Sequence, residues 1–201
     1  MILSVWLKYN VYGDPLMTIT PLEREHYDRV ITLANLVHGA NYLDAALLEK
    51  MCEKGTKHNI NACFVALDDE NNLLGFRTSY AAQQWPIDKW CTPSQWPVLP
   101  SQMAYFKCIA IEPSAQGQGI GPKLLQASIN ALRQQGALAG VAHLWKQSPG
   151  NGAVKYFTKA GGELIKIHDE RWLENCINDG YICTLCGNKC QCQAAEMALM
   201  F

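Results

Sequence analysis

The sequence predicts an α/β fold in which a central, twisted mixed sheet is flanked by helices. Three features carry that expectation. Two strand-like runs, Ala62–Leu67 and Leu73–Tyr80, flank the polar turn Asp68–Asn72 and read as a hairpin. A third run, Met103–Ile111 (MAYFKCIAI), passes straight into a glycine-rich turn and a helix. After two opening helices the elements follow in the order ββαβαβ, which describes one mixed layer fold.

Met17–Thr20 alternates like a short strand, and Pro21 opens a polar turn. Glu23–His38 reads as a helix, because Tyr27, Val30, Ile31, Leu33, Ala34 and Val37 recur at the spacing of one buried face. Gly39 is its stop. A second helix is expected over Leu43–Cys52, with Leu43, Ala46, Leu47 and Met51 on one stripe and Gly55 at its end. Ala82–Gln102 holds Trp85, Trp90 and Trp96 among Pro86, Pro93, Pro97 and Pro100. The prolines exclude a central strand or a helix interior there. The segment is either a packed functional loop or a loop that covers the core with its indoles. A helix is expected from Pro122 to about Gln135, with Leu124, Leu125, Ile129 and Leu132 inward and proline in its first turn. Val141–Lys146 and Glu163–Ile167 read as strands. Between them lie the loop Ser148–Gly152, a short helix Ala153–Ala160 and the stop Gly161–Gly162.

The 201 residues suit one domain with at most a small appendage. A hydrophobic content of 49% is too high for a disordered chain. No apolar run approaches the roughly 20 residues of a membrane span. The net charge of −1 argues against nucleic-acid binding through a broad basic face. Met1–Leu7 is apolar but lacks a preceding basic residue and a small-residue cleavage site, so no secretory signal is expected and the default compartment is the cytoplasm. Residues 1–16 are either a loose extension or precede a start at Met17. In a reducing compartment the nine cysteines read as thiols or metal ligands before disulfides.

A strand, a glycine-rich turn and a helix start make an anion site. The first N–H groups of the helix lack intrahelical partners, and its dipole is positive there. Gln116–Gly121 is therefore expected to bind a phosphate or pyrophosphate. A P-loop is excluded, since Lys123 follows Pro122 and no Ser or Thr comes next. A dinucleotide fingerprint is disfavoured, since Pro122 stands where the third glycine belongs. Gln-x-x-Gly-x-Gly fits, as Gln116, Gly119 and Gly121.

At this point the sequence resembles the GCN5-related N-acetyltransferase superfamily, over about Met17 to His168. The resemblance rests on this loop after a strand ending in Ile-Glu-Pro and on the order of elements. It rests also on Asn151, Ala153, Phe157, Lys159 and Gly161, which match the family's later Asn…Ala…Tyr-x-Lys-x-Gly segment. The organisation then expected is an extension at 1–16, an acyltransferase domain at 17–170 and a cysteine-rich tail at 171–201. The resemblance implies acetyl-CoA as donor and a small-molecule or peptide amine as acceptor; a homodimer is allowed for, and the charge and the short apolar runs leave no nucleic-acid or membrane partner expected. It implies that the backbone N–H groups of Gln118, Gly119, Ile120 and Gly121 hold the pyrophosphate while Gln116 shapes the turn. It pairs the pantetheine arm with the backbone of Ile109, Ala110 and Ile111, and places Asn151 against that arm.

Amine attack on a thioester needs a neutral amine, a donor for the oxyanion and a proton for the leaving thiolate. The N–H of Ile109 or Ile111 is the oxyanion candidate. The sequence departs from the family at the proton donor, because Phe157 stands where a tyrosine is expected. Tyr156 is adjacent, turned by about 100° on a helix, and is either the acid or a structural residue. Glu112 is either the general base or a solvated turn residue. Tyr105, Lys107, His143 and Lys146 are candidates to line the acceptor side. The loss of the tyrosine leaves open a catalytically silent CoA-binding module.

Cys183, Cys186, Cys190 and Cys192 form C-x-x-C-x-x-x-C-x-C, with Gly187 after the second. Four thiolates so spaced can close around a structural, tetrahedral Zn²⁺. The alternatives are free thiols, disulfides formed on oxidation, or a thiol- or metal-sensing role. Cys63 and Cys108 read as small core hydrophobes.

Overall fold

The computed structural model describes residues 17–201; the expected extension at 1–16 lies outside them. Seven strands form one sheet: β1 (Met17–Pro21), β2 (Phe64–Asp68), β3 (Leu73–Tyr80), β4 (Met103–Ile111), β5 (Ala139–Trp145), β6 (Glu163–His168) and β7 (Ala194–Met200). Their spatial order is β1-β2-β3-β4-β5-β7-β6. β1 to β4 pair antiparallel, β4 and β5 parallel, and β7 runs antiparallel to both β5 and β6. The main helices are α1 (Tyr27–His38), α2 (Ala45–Gly55), α3 (Ile120–Gln134) and α4 (Gly152–Lys159). No helix among the described residues is long and apolar enough to cross a membrane.

Strand alternation divides the core between the two faces. Val65, Phe76, Met103, Tyr105, Val141 and Ala198 pack against Val30, Leu33, Leu48 and Met51 of α1 and α2. Ala104, Phe106, Ala142, Leu144, Met197 and Leu199 pack against Leu125, Ile129 and Leu132 of α3 and Phe157 of α4.

Two expectations change. The α2 stripe is half kept: Leu43 and Met51 are buried as expected, but Asp44 caps the helix by accepting the Leu47 N–H at 2.7 Å, and Leu48 and Gly55 take the inward places expected for Ala46 and Leu47. Leu47 is 40% exposed, and Ala46 is exposed too. Gly55 explains the choice of face, since a Cβ there would lie 2.6 Å from both Cys63 Sγ and Ser79 O.

The second change concerns residues 171–201, expected as a tail beyond a domain ending at 170. Their last stretch is β7, an interior strand whose first six residues are all buried. Ala, Glu, Met and Leu are helix formers, so local propensity hides a strand that is fixed by neighbours on both sides. Before β7 come a short helix, α5 (Leu173–Asn178), and a loop that carries the four close-set cysteines.

Candidate active site

β4 and β5 are paired only at Met103–Tyr105 with Ala139–Val141. Beyond that they part, while β4 stays paired with β3 through to Ile111, with Lys107 as the extra residue of a bulge between the Cys108 and Phe106 pairs. The phase is set by Glu112 N–H donating to Leu74 O at 2.9 Å. Cys108 and Ala110 therefore turn their peptide groups to β3, and Ile109 and Ile111 turn theirs to the opening. Of the three strand residues expected to pair with a pantetheine arm, Ile109 and Ile111 turn their backbone to the opening and Ala110 does not. The Ile109 carbonyl lies 3.2 Å from His38 Nε2, at the end of α1.

The opening is flanked by the glycine loop. Gly117 (φ +81°) and Gly119 (φ +75°) are left-handed, which an L side chain rarely adopts, and nothing lies within 4 Å of where their Cβ atoms would be. Gly119 is the N-cap of α3 and supplies no capping side chain, so the N–H groups of Ile120 and Gly121 keep their free direction. Gln118 hydrogen-bonds Ser114 O, and Gln116 is the extended residue that ends the preceding turn. The loop offers glycine backbone, free amides and open space, which is the donor set a diphosphate needs.

Tyr156, one residue out of register with the family's tyrosine, is the one that faces this loop. Its hydroxyl donates to Gly121 O at 3.3 Å and accepts from Arg77 Nη2 at 2.9 Å. Phe157 is fully buried, edge-on to Phe106 at 5.6 Å and pressed against Gly162. Arg77 is 2% exposed; its guanidinium lies over Phe106 at 5.0 Å and its Nε has no partner. Asn151 sits in the left-handed region (φ +56°) with its Oδ1 buried and without a partner. Glu112 lines a hollow of about 340 Å³ on the flank of α1 with Asp28, Arg29, Thr32 and Leu36.

The α1/α2 side of the opening is aromatic. Trp85 stacks on Tyr105 at 4.8 Å and donates its Nε1–H to Met103 O. His143 Nε2 lies 2.6 Å from Trp90 O, which can only accept, so Nε2 carries the proton and Nδ1 accepts from Tyr105 Oη–H at 3.1 Å. Burial lowers His143 and His38 to about 4, so both rings are neutral at ordinary pH. Burial also lowers Lys107 and raises Tyr105. Lys146 is tied to Gln193 at 3.0 Å.

The tryptophan segment is fastened by a residue that sequence reasoning missed. Glu196 of β7, fully buried, accepts from Thr92 N–H (2.8 Å), Thr92 Oγ1–H (2.7 Å), Trp96 Nε1–H (2.8 Å) and His168 Nε2–H (2.9 Å). His143, His168 and Glu196 offer ligand atoms within 4.8 Å of one another. Each of these atoms already has a protein partner, so the group works as a hydrogen-bonded clasp. Arg77, His38 and His168 were also missed. A lone acid in an apolar run and a lone arginine in a core strand were the available signals.

The four expected cysteines do come together. Their Sγ atoms lie within 4.8 Å of one another, with Cys183–Cys192 at 3.9 Å and Cys186–Cys192 at 3.6 Å, and none is disulfide-bonded. Cys183 and Gly187 exchange N–H···O bonds of 2.9 Å in both directions, closing a tight turn in which Gly187 takes φ +69°. Cys63 and Cys108 are buried, as expected of core thiols.

The sequence profile of the acetyltransferase (GNAT) family matches residues 27–162. No curated protein matches the chain by sequence. Among solved structures, the Escherichia coli ribosomal-protein-S18-alanine N-acetyltransferase superposes with a TM-score of 0.63 at 16% identity, over 92% of this chain and 94% of that one. For yncA from Salmonella typhimurium, solved with acetyl-CoA, the values are 0.61 and 15%, over 92% and 93%. For Arabidopsis thaliana Naa50 in complex with the bisubstrate analogue CoA-Ac-MVNAL they are 0.60 and 14%, over 92% and 99%.

Proposed function

The chain belongs to the acetyltransferase (GNAT) family, and from that premise we propose that it moves an acetyl group from acetyl-CoA to an amine by direct attack on the thioester. The observation that carries this reading is the opening between β4 and β5 beside an uncapped helix N-terminus. In it the N–H groups of Gln118, Gly119, Ile120 and Gly121 hold the pyrophosphate, with Gln116 shaping the turn. Ile109 and Ile111 pair with the pantetheine arm, and the orphaned Asn151 Oδ1 accepts from an amide of that arm. The amine nitrogen forms a bond to the thioester carbon, and an N–H of Ile109 or Ile111 stabilises the oxyanion. Collapse breaks the C–S bond. The thiolate takes a proton from Tyr156, and the amine gives one to water or, through water, to Glu112. The acceptor is a small-molecule or peptide amine that enters along the aromatic side formed by Tyr105, Trp85 and Trp90.

The test is free-thiol release from acetyl-CoA with a panel of amines. Phe157, which has no proton to give, favours a second reading, a CoA-binding module without turnover. Acetyl-CoA binding without thiol release from any amine supports that second reading and overturns the first. Glu112→Gln separates the two bases: a lower rate assigns the carboxylate, and an unchanged rate assigns water.

For the cysteine cluster we propose a structural zinc ion held by Cys183, Cys186, Cys190 and Cys192, each thiol losing its proton to solvent on binding. Zn–S bonds of about 2.3 Å in a tetrahedron put the sulfurs about 3.8 Å apart. The separations of 3.9 and 3.6 Å agree with that. Four thiolates fill the coordination shell, so the ion supports structure, not chemistry. Stoichiometric zinc in reduced, freshly purified protein is expected; its absence overturns the assignment.

A further inference from the structure

The cysteine knuckle touches the reaction side of the molecule through one short path. Cys183 pairs with Gly39 and Ile182 with Ala40, in antiparallel register, at the turn that ends α1. The approach is so close that a Cβ on Gly39 would lie 1.9 Å from Ile182 O, and Gly39 takes φ +127°. Tyr181 Oη–H donates to His38 O at 2.8 Å, and Asn41 Nδ2–H to Gly180 O at 3.0 Å. Tyr42 meets Tyr181 edge-on at 6.0 Å and lies 4.5 Å from the His38 ring. His38 Nε2 in turn reaches Ile109 O at 3.2 Å and Cys108 Sγ at 3.3 Å. Cys183, Gly39, His38 and Ile109 thus form a continuous run from the cysteine cluster to the open edge of β4.

The knuckle has little else to hold its shape. Its buried residues are the cysteines Cys176, Cys183, Cys190 and Cys192, with Trp145, Trp172, Tyr181 and Cys186 packed around them as a satellite of the main core. A cluster this small gains its order from a metal where one is bound.

We propose that the metal knuckle is a latch for the acceptor-side wall: a zinc ion on Cys183, Cys186, Cys190 and Cys192 fixes Tyr181–Cys183, this strand fixes Gly39–Asn41, and His38 is thereby held at the Ile109 carbonyl. The inference rests on the zinc reading of the cluster. His38 acts in it as a positioning residue, ordering the strand edge and the wall that an acceptor meets. The pyrophosphate loop is outside the path, so metal occupancy acts on the acceptor wall and on the Ile109 edge that meets the pantetheine arm, and leaves the diphosphate contacts alone.

The experiment uses the full chain, as purified and after chelation. Zinc is measured per chain, and Co²⁺ replaces it to read the tetrahedral thiolate spectrum. Amide hydrogen exchange is followed at 40–43 and at 103–106, with calorimetric binding of acetyl-CoA alongside. On chelation, exchange at 40–43 is expected to accelerate about tenfold or more while 103–106 is unchanged. Acetyl-CoA affinity is expected to fall only about twofold to threefold, through the pantetheine edge at Ile109, and the acceptor KM to rise about tenfold. Tyr181→Phe, which keeps all four thiols, is expected to retain zinc and to reproduce part of the change at 40–43. Unchanged exchange at 40–43 in zinc-free protein overturns the latch and leaves the zinc assignment standing. Loss of acetyl-CoA affinity equal to the acceptor effect overturns it too, as general loosening. Absence of zinc together with no tetrahedral cobalt spectrum overturns both.

Discussion

Truncating Glu196 to alanine tests the clasp that holds the tryptophan segment on the sheet. The carboxylate is fully buried in β7 and receives four hydrogen bonds from Thr92, Trp96 and His168. Alanine leaves those buried donors without their acceptor. Each buried donor so stranded costs about 1–3 kcal/mol. With Thr92 Oγ1–H free to turn elsewhere, the sum is about 4 kcal/mol, or roughly 8–16 °C of Tm for a chain of this size. Glu196→Gln keeps the shape and one acceptor oxygen and should cost about 2 kcal/mol. Urea unfolding, followed by tryptophan emission and by circular dichroism, measures both. The pH dependence adds a second signature. Burial raises the Glu196 carboxyl, but His168, Trp96 and Thr92 outweigh it, so its folded pKa is depressed. Its contribution is present above the unfolded carboxyl pKa, about 4.3, and is lost as pH falls through the folded value. The gap between wild type and Glu196→Gln should therefore narrow in acid. A Glu196→Ala cost below about 1 kcal/mol would refute the clasp.

Gly119→Ala forces a left-handed backbone on alanine and should cost about 1 kcal/mol while weakening acetyl-CoA about tenfold or more. Gly136→Ala, at φ +92° and away from the loop, is its control: equal stability loss with unchanged affinity by calorimetry. His38 and His143, lowered to about 4, are neutral when folded, so the unfolded chain binds their protons first as pH falls. The contribution of the two rings should decline from about pH 6.5 to about pH 4 and level off below, by up to about 3 kcal/mol per ring. A urea midpoint that is flat over that window in wild type, or unchanged in its slope by His143→Gln, contradicts this. Tyr156→Phe should lower kcat about tenfold to a hundredfold, through loss of the acid, with acetyl-CoA KM little changed. An unchanged kcat removes Tyr156 from the proton path.

The strands around the opening were legible because their signals are local. Met103–Ile111 is bounded by proline and glycine and is found with those limits. The 73–80 strand and its turn were equally plain, since Asp68 hydrogen-bonds its own turn at Glu70 and Asn72. Phase was harder. The stripe of α2 depends on where Asp44 caps it and on which helix face Gly55 brings against Cys63 and Ser79, a contact across the sheet. Tyr156 illustrates the same limit: spacing put Phe157 in the family's position, but packing on Phe106 and Gly162 took Phe157 inward and left the neighbouring hydroxyl facing the loop.

By itself the sequence determined the glycine loop, the strand that feeds it and the close set of four cysteines. These are features of consecutive residues, whose conformations follow from local sterics, missing side chains and spacing. Tertiary structure decided what those features are next to. It placed β7 between β5 and β6 against a helix-forming composition, because burial on both faces outweighs propensity. That placement carried Glu196 to the tryptophan segment. The same chain reversal set Cys183 on Gly39, so that the cysteines lie one turn from His38 and the opening. These contacts join residues a hundred or more positions apart, and no periodicity along the chain encodes such a meeting.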